Sequence, residues 1–242
     1  MNVDRATWRA IIFALGVVLA GLAVGNGFAR ARSADRFVTV KGISEREVSA
    51  DLAIWPLRVV SSDADLTRAH TRLENSVKEI FKFLSRHGID TTQARLQDFA
   101  VTDANAVEYR GGQAGDRYII RQTVVVRSDK PEVVLAASQQ VGELVSAGVV
   151  LSSGAEYGNG GPTFIFRGLN DLKPKMIAEA TARAREAAAQ FAADSRASLG
   201  GIRQASQGVF EILPRDQAPG ISEESQIVKT VRVVSTVEYL LR

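Results

Sequence analysis

An uncharged run near the start of the chain constrains this sequence more than any other feature. From Ala10 to Ala29 it reads AIIFALGVVLAGLAVGNGFA, without Asp, Glu, Lys or Arg. A helix of that length spans about 30 Å, the thickness of the hydrocarbon core of a bilayer. Because lipid offers no partner to backbone N–H and C=O groups, such a segment crosses a membrane as a helix. The sequence therefore predicts a single transmembrane helix over residues 10–29.

The residues around this run predict its orientation and leave two alternatives open. Arg5 and Arg9 precede it and Arg30, Arg32 and Arg36 follow it, so the charge bias is weak. Trp8 lies where an interfacial aromatic side chain is expected, and the position of the run near the N-terminus favours the N-terminus inside. A cleaved signal peptide is one alternative, because Ala29-Arg30-Ala31 fits the small-x-small rule for cleavage. A buried helix of a cytosolic protein is the other. The length of the run favours an uncleaved anchor, and residues 1–32 are assigned as the membrane anchor or signal segment.

The distribution of charge argues against a nucleic-acid partner. The chain has 30 Lys and Arg against 27 Asp and Glu, a net charge of +3. Residues 1–32 hold four arginines and one aspartate, which leaves 26 charges of each sign in the rest of the chain. Proteins that bind nucleic acids concentrate positive charge on the binding domain. A neutral body therefore predicts no nucleic-acid binding.

Few residues are available for metal or thiol chemistry. The chain has no cysteine, which excludes disulfides, thiol nucleophiles and cysteine metal sites, and it has two histidines. His70 and His87 lie about four to five turns apart on one predicted helix, too far to bind one metal ion within a chain. We therefore predict no metal site and no cofactor.

Hydrophobic periodicity predicts an α+β fold. Paired strands alternate with helices along residues 36–242, and this order favours antiparallel sheets over a doubly wound parallel sheet. The expected fold is an N-terminal transmembrane helix followed by antiparallel strand pairs packed with three helices. The predicted helices cover residues 66–84, 131–148 and 174–199. The predicted strands cover residues 36–41, 51–61, 95–102, 117–127, 149–157, 163–167, 207–213 and 230–241.

Specific residues are expected at the ends and edges of these elements. Ser62 or Asp63 is expected to cap the first body helix, and Gly88 to end it in a left-handed conformation. Gly200-Gly201 is expected to end the last helix. Pro56, which has no N–H to donate, is expected at a sheet edge or a bulge.

No residue pattern predicts catalysis. The serines lack a nucleophile-elbow setting, and Glu223-Glu224 is expected to be solvated. Three acids could approach each other around a hairpin, but nothing in the sequence places a second acid or a substrate there for catalysis. They are Asp98, Asp103 and Glu108. The residues considered as nucleophiles or as a stacking surface are Ser61, Ser62, Ser152, Ser153, Tyr109, Tyr118 and Tyr157. We predict no catalytic, cofactor-binding or metal-binding residues.

Several stretches, taken in order, resemble the SIMPL-domain family, a bacterial and animal group of largely unknown function. The alanine-rich helix that runs into Leu-Gly and a strand is the most telling of them, and the resemblance covers about residues 36–242, assigned as a SIMPL-like domain. The stretches are VTVKG (38–42), SADLAIWPLRVVSS (49–62), GID (88–90), RYIIRQTVVVRS (117–128), LVSAGVVL (144–151), IAEATARAREAAAQFAADS (177–195), LGGIRQASQGVFEI (199–212) and VRVVSTVEYLL (231–241).

The resemblance implies a secreted or membrane-anchored protein, often oligomeric and associated with stress defence, and it transfers no catalytic residue. We therefore expect a non-enzymatic protein anchored in the bacterial inner membrane, with its C-terminal domain in the periplasm. It is expected to act as a self-associating scaffold or stress-related binding protein, with a second copy or another envelope protein as partner. Two alternatives stay open: a secreted periplasmic protein after signal cleavage, and an enzyme or small-ligand binder with a site at a subunit junction.

Overall fold

The computed structural model describes residues 8, 13–25, 36–106, 116–152 and 160–242. Helical residues 13–25 are called α1. The other helices are α2 (Leu66–Arg86), α3 (Pro131–Gln139), α4 (Gly142–Ser146) and α5 (Leu169–Asp194), with short 3-10 turns at Thr91–Gln93 and Glu223–Ser225. The strands are β1 (Phe37–Ser49), β2 (Leu52–Asp63), β3 (Arg95–Asp103), β4 (Tyr118–Ser128), β5 (Thr163–Ile165), β6 (Leu199–Gln207), β7 (Glu211–Pro214) and β8 (Val228–Leu241).

Helix α1 covers the middle of the predicted membrane span. Residues 13–25 are helical and exposed all round, including their large apolar side chains. Positions 10–12 and 26–29 of the predicted span lie outside the described residues. Among the residues that are described, no helix has both the length and the apolar composition needed to cross a membrane.

The chain forms two compact units that interleave along the sequence. The first unit comprises Met1–Ser44, Lys175–Phe210 and Val233–Arg242; the second comprises Glu45–Pro174 and Glu211–Arg232. Strands β1 and β8 and helix α5 each contribute residues to both units.

The second unit contains a four-stranded sheet in the order β3-β4-β2-β5, with antiparallel neighbours. Strand β2 pairs with β4 from Ala53↔Ser128 to Asp63↔Tyr118. Buried and partly exposed residues alternate along β2, as expected for a strand with one face on the core. Its buried side chains pack with those of α2 in one cluster that includes Trp55, Phe83 and Leu84.

Pro56 lies in an interior strand, not at the edge or bulge predicted from the sequence. Strand β5 pairs with β2 only at Leu52–Ile54, so Pro56 lies beyond that pairing. The N–H of Val60, four residues on, donates to the carbonyl of Val150 on the side away from β4. By the two-residue repeat, the nitrogen of Pro56 faces that same side. The proline therefore costs the β2–β4 ladder no hydrogen bond.

Helix α2 confirms the predicted helix but corrects its N-cap residue. Its N-cap is Asp65, whose carboxylate accepts from the backbone N–H of Arg68. Ser62 and Asp63, the predicted caps, belong to β2, because that strand continues to Asp63. Gly88 follows the helix with φ of 73°, the left-handed conformation predicted there.

The second predicted helix, 131–148, is split into α3 and α4. The N–H groups of Gln140 and Val141 bond to carbonyls three residues back, which tightens the turn and ends α3. Gly142, a weak helix former, then opens α4. The described body therefore has four α-helices where the sequence predicted three.

The first unit packs α5 against a sheet in which β8 lies between β1 and β6. Residues on α5 are buried at every fourth position from Met176 to Ala192, and the four after the methionine are alanines. A Cβ atom added to Gly42 of β1 would lie 2.5 Å from the backbone nitrogen of Ala184 and overlap the carbonyl oxygen of Ala180. The small residues thus permit the close approach of α5 to β1.

Side-chain hydrogen bonds also hold α5 to β1 beside this contact. The buried hydroxyl of Ser44 donates to Glu179 Oε2 at 2.9 Å. Arg183 donates to the other oxygen of Glu179 at 2.7 Å and to the backbone carbonyl of Ile43 at 3.0 Å. Helix α5 is therefore fixed to β1 by both backbone proximity and directed hydrogen bonds.

Both ends of α5 differ from the prediction of 174–199. The helix begins at Leu169, so Pro174 lies inside it, where it removes one hydrogen bond near the N-terminus. It ends at Asp194 because Arg196 adopts φ of 55°, while the N–H of Ala197 closes the helix on Ala192.

The strand that follows α5 also differs from the prediction. The predicted helix stop, Gly200-Gly201, lies in β6, which occupies residues where helix was expected. The predicted strand 207–213 is correspondingly divided between the end of β6 and β7.

Candidate functional site

The two histidines lie at opposite ends of α2. His70 Nδ1 is 4.0 Å from Glu74 one turn along the helix. His87, the C-cap, lies with its ring centroid 4.4 Å from that of Phe83 and its Nε2 3.3 Å from Glu143 Oε2. Within the described ranges, no group of three or more His, Cys, Asp or Glu residues could hold a metal ion. The structure therefore gives each histidine a separate local partner.

The hairpin acids do not form a pair in the described residues. Asp103 Oδ2 is 2.9 Å from Arg117 and the carboxylate also accepts from the backbone of Asn105; these hydrogen bonds lower the pKa of Asp103. Asp98 stands in a bulge of β3 with φ of 54°. Glu108 lies outside the described residues. Asp103 is thus held as an ion-paired carboxylate, poorly suited to act as a general acid.

A polar cleft of the second unit lies beside the end of β2 and α2. It has a volume of about 450 Å³. Its charged side chains already have partners: Arg72 lies 3.1 Å from Asp63, Glu79 lies 2.8 Å from Lys82, and Asp116 accepts from a serine at 2.6 Å. The cleft therefore offers hydrogen-bond partners without an unpaired charge. Its polar lining residues are Ser61, Ser62, Arg72, Asn75, Ser76, Glu79 and Asp116.

The serines of this cleft are not arranged for nucleophilic catalysis. Ser62 Oγ donates to Asp116 at 2.6 Å, and Ser61 Oγ donates to the backbone carbonyl of Ala69. None of the described residues that line the cleft is a histidine, so the hydroxyls have no imidazole base beside them.

The remaining residues considered in the sequence are likewise dispersed. Tyr118 lies below the Arg117 guanidinium, which is 4.9 Å from the ring centroid, and the backbone N–H of Ser152 donates to Arg58. Ser153, Tyr109 and Tyr157 lie outside the described residues. The described chain brings none of these groups together as a stacking surface or a nucleophile with its base.

Glu223 and Glu224 were predicted to be solvated; Glu224 is exposed, whereas Glu223 is half-buried and held in an ion pair. Lys229 of β8 is a charged residue in the interior, with 1% of its side chain exposed. Its Nζ lies 2.6 Å from Glu223 Oε2 and also donates to the backbone carbonyl of Glu223. The predicted last strand, 230–241, began one residue too late to include Lys229, and nothing in the sequence indicated its partner. The pair ties the connection before β8 to the strand itself.

A long uncovered surface of the first unit lies on β6. Every residue from Gly201 to Val209 is exposed, on both faces of the strand. The core cluster of this unit joins α5 to Val38 of β1 and to Val237 and Tyr239 of β8, so the helix covers those two strands. Ile202 and Val209 are left 57% and 78% exposed. In the described part of the chain, β6 pairs on one side only, with β8.

The described chain is therefore an α+β protein of antiparallel strand pairs and helices, as the sequence predicted. Residues 38–239 match the family SIMPL, whose description reads "Protein of unknown function (DUF541)". The chain belongs to the SIMPL family, which confirms the resemblance found in its sequence. No curated protein matches the chain.

Proposed function

We propose that this protein is anchored in the bacterial inner membrane by residues 10–29, with its SIMPL domain in the periplasm. There it self-associates as a non-enzymatic scaffold or stress-related binding protein. The uncovered strand β6 is the observation that carries this proposal. An exposed strand edge with large apolar side chains favours pairing with another chain.

The anchoring rests on the uncharged run and on α1. The described residues of the run are helical, and their apolar side chains are exposed on all sides. Exposed apolar side chains all round a helix are suited to lipid, whereas a core-facing helix is apolar on one stripe.

The non-enzymatic role rests on the pairing of the polar groups. The acids and hydroxyls around the polar cleft hold one another, and the described histidines lie elsewhere with partners of their own. This arrangement is typical of groups that stabilise a fold. The alternative of an enzyme or ligand binder with a site between subunits stays a prediction.

The topology can be tested with two fusions to the C-terminus of the full chain. Alkaline phosphatase folds only in the periplasm, whereas green fluorescent protein exported by the general route does not fluoresce there. We expect an active phosphatase fusion and a dark fluorescent fusion. An inactive phosphatase together with a bright fluorescent fusion would contradict the proposed location.

Self-association can be tested on the full chain purified in detergent. Light scattering with correction for the bound detergent gives the protein mass of the particle. We expect a multiple of the 26.1 kDa of one chain. A protein mass of one chain across the accessible concentration range would show that self-association is wrong.

A further inference from the structure

We propose that β6 pairs antiparallel with β6 of a second copy, in a register centred on Ser206. This inference rests on the proposed self-association and specifies the surface that carries it. It joins the sheets of two first units into one continuous sheet, with the two-fold axis passing through the β6 edge.

The outer edge of β6 is regular and uncharged from Gln204 to Gln207, the middle of the proposed pairing. Residues Gln204 to Gln207 pair in unbroken register with Glu238 to Ser235 of β8. A regular partner on one side keeps the outward N–H and C=O groups aligned for another strand. The four residues Gln204, Ala205, Ser206 and Gln207 carry no charge and no large side chain that would block approach.

Another long edge strand, β3, is less suited to pairing. Its register is interrupted between Gln97 and Ala100, and Asp98 in the middle has φ of 54°. A bulge with a charged residue is a common means by which a protein prevents pairing at a sheet edge. Strand β6 has its irregularities at one end, before Gln204.

The side of the sheet to which each β6 side chain points determines the register of the proposed pair. Directly opposed residues of antiparallel strands point to the same face, so a symmetric pair must be centred on a residue. Ile202 pairs with Tyr239 and Gln207 with Ser235, both buried residues of β8, so both lie on the α5 side. Gly208 still donates to Val234, and the two-residue repeat places Val209 on the α5 side as well.

Centring on Ser206 brings the two exposed apolar residues together. Ala205 then lies opposite Gln207 of the second copy, and Gln204 opposite Gly208. Strand β6 has one extra residue at Arg203, because Ile202 and Gln204 pair with consecutive residues of β8. That insertion places Ile202 opposite Val209 of the second copy, and the symmetry makes this apolar contact twice.

The same register separates like charges. Arg203 is the charged residue of the paired segment, and its two copies lie about 20 Å apart, on opposite sides of the centre. A register centred one residue earlier places Ile202 opposite a glutamine and leaves Val209 without an apolar partner. Ser206 is therefore the centre that buries both residues without opposing charges.

The absence of cysteine allows a direct test by disulfide formation. Directly opposed residues have Cα atoms about 4.5–5.5 Å apart, within the range that a disulfide can bridge. The full-length Ser206→Cys protein in detergent is treated with a mild oxidant and run on a non-reducing gel. The control is Ala189→Cys, at an exposed position on α5. We expect the Ser206→Cys variant to give about ten-fold more of a species of twice the chain mass than the control.

A second pair of variants tests the register. The double variant Ile202→Cys, Val209→Cys should crosslink efficiently, whereas either single variant alone should not, because each cysteine would then face a residue without a thiol. If light scattering shows an oligomer but Ser206→Cys crosslinks no better than Ala189→Cys, the β6 pairing is wrong and self-association stands. If the wild type has the mass of one chain, both the pairing and the proposed function are wrong.

Discussion

Asp63 carries its negative charge between two arginines at the end of β2. Arg68 donates to Oδ1 through Nε at 3.0 Å and through Nη2 at 2.7 Å, and Arg72 lies 3.1 Å from Oδ2. The hydrogen bonds from Arg68, with that from the backbone of Asp65, lower the pKa of Asp63 from its ordinary 3.8 to about 2. One carboxylate thereby ties the first turns of α2 to the strand that precedes it.

This pKa shift predicts how stability depends on pH. Because the folded pKa of about 2 lies below the ordinary 3.8, the contribution of Asp63 is present above pH 3.8 and is lost as pH falls through the folded pKa. Asp63→Asn should therefore lower the urea midpoint at neutral pH. The difference from the wild type should shrink towards pH 2.

Denaturation in urea at a series of pH values measures this difference. Glu74→Gln, at an exposed position of α2, controls for the loss of one negative charge on the helix. A difference between Asp63→Asn and the wild type that is equal at neutral and acid pH would assign its effect to packing.

At the level of single residues, the sequence predicted positions better than partners. Alternation placed the buried valines of β8 correctly, yet Lys229 lay outside the predicted strand and Glu223 was assigned to solvent because its neighbours are polar. The pairing depends on how the connection folds back onto the strand, and periodicity carries no information about that. The partner of Asp51, Arg167 at 3.0 Å, was missed for the same reason, since the two are 116 residues apart.

The contact of α5 with β1 is the tightest between elements of the first unit. Gly42→Ala places a methyl group against the backbone of α5, which cannot move aside as a side chain can. We expect a loss of about 3 kcal/mol in the free energy of unfolding, the upper range for an overpacked core. Urea denaturation of both proteins measures it.

Gly201→Ala is the matched control for this substitution. No atom lies within 4 Å of a Cβ added at Gly201. Its effect should stay within about 0.5 kcal/mol, as for most surface substitutions. Equal effects at the two glycines would show that α5 does not pack closely against β1 at Gly42.

The Lys229–Glu223 ion pair allows the cost of removing either charge to be predicted. Glu223→Gln leaves a buried ammonium without a counter-charge and should cost about 2 kcal/mol. This is below the cost of a fully buried pair, because the Glu223 side chain is 35% exposed. Lys229→Met removes the charge from the core and leaves a carboxylate that water can reach, so it should cost less, about 1 kcal/mol.

Urea denaturation of the two single variants decides the order of these costs. Ser225→Ala, in the same 3-10 turn, controls for local changes in the connection. If Lys229→Met destabilises the protein more than Glu223→Gln, the lysine acts mainly through packing and its backbone hydrogen bond.

Element types were more predictable than element ends. The apolar stripe of α2 and the alternation of β8 depend on many residues, so both were predicted. The ends depend on single backbone conformations. Arg196 ends α5 in a left-handed conformation that glycine usually adopts. Gly200 and Gly201, which were predicted to end the helix, lie in β6 instead.

At the scale of the molecule, the order of strand pairs and helices was enough to predict an antiparallel α+β fold. The division into two units was not predictable in the same way, because each unit is assembled from segments far apart in sequence. Periodicity reports which face of an element is buried, but not which distant element covers it. That β6 is left uncovered depends on how distant elements pack, so periodicity could not predict it.

A membrane anchor and a cleaved signal peptide predict different masses for the mature protein, because only the signal peptide is removed. If residues 10–29 remain as a membrane anchor, the protein extracted from membranes should have the full mass of 26.1 kDa. It should also stay in the membrane fraction after alkaline carbonate washing. Val18→Arg places a charge near the middle of the span, at a cost of about 2.5–3.5 kcal/mol, and should lower the membrane-bound fraction.

Intact-mass measurement of a second variant separates the two origins of a shorter chain. Ala29→Arg replaces the small residue that signal cleavage after Ala31 requires. An anchored protein keeps its full length in both the wild type and this variant. A wild-type chain beginning at Arg32, with full length restored by Ala29→Arg, would instead identify a cleaved signal. The scaffold would then assemble free of the membrane, so β6 pairing would have to hold it together without the two-dimensional confinement that an anchor provides.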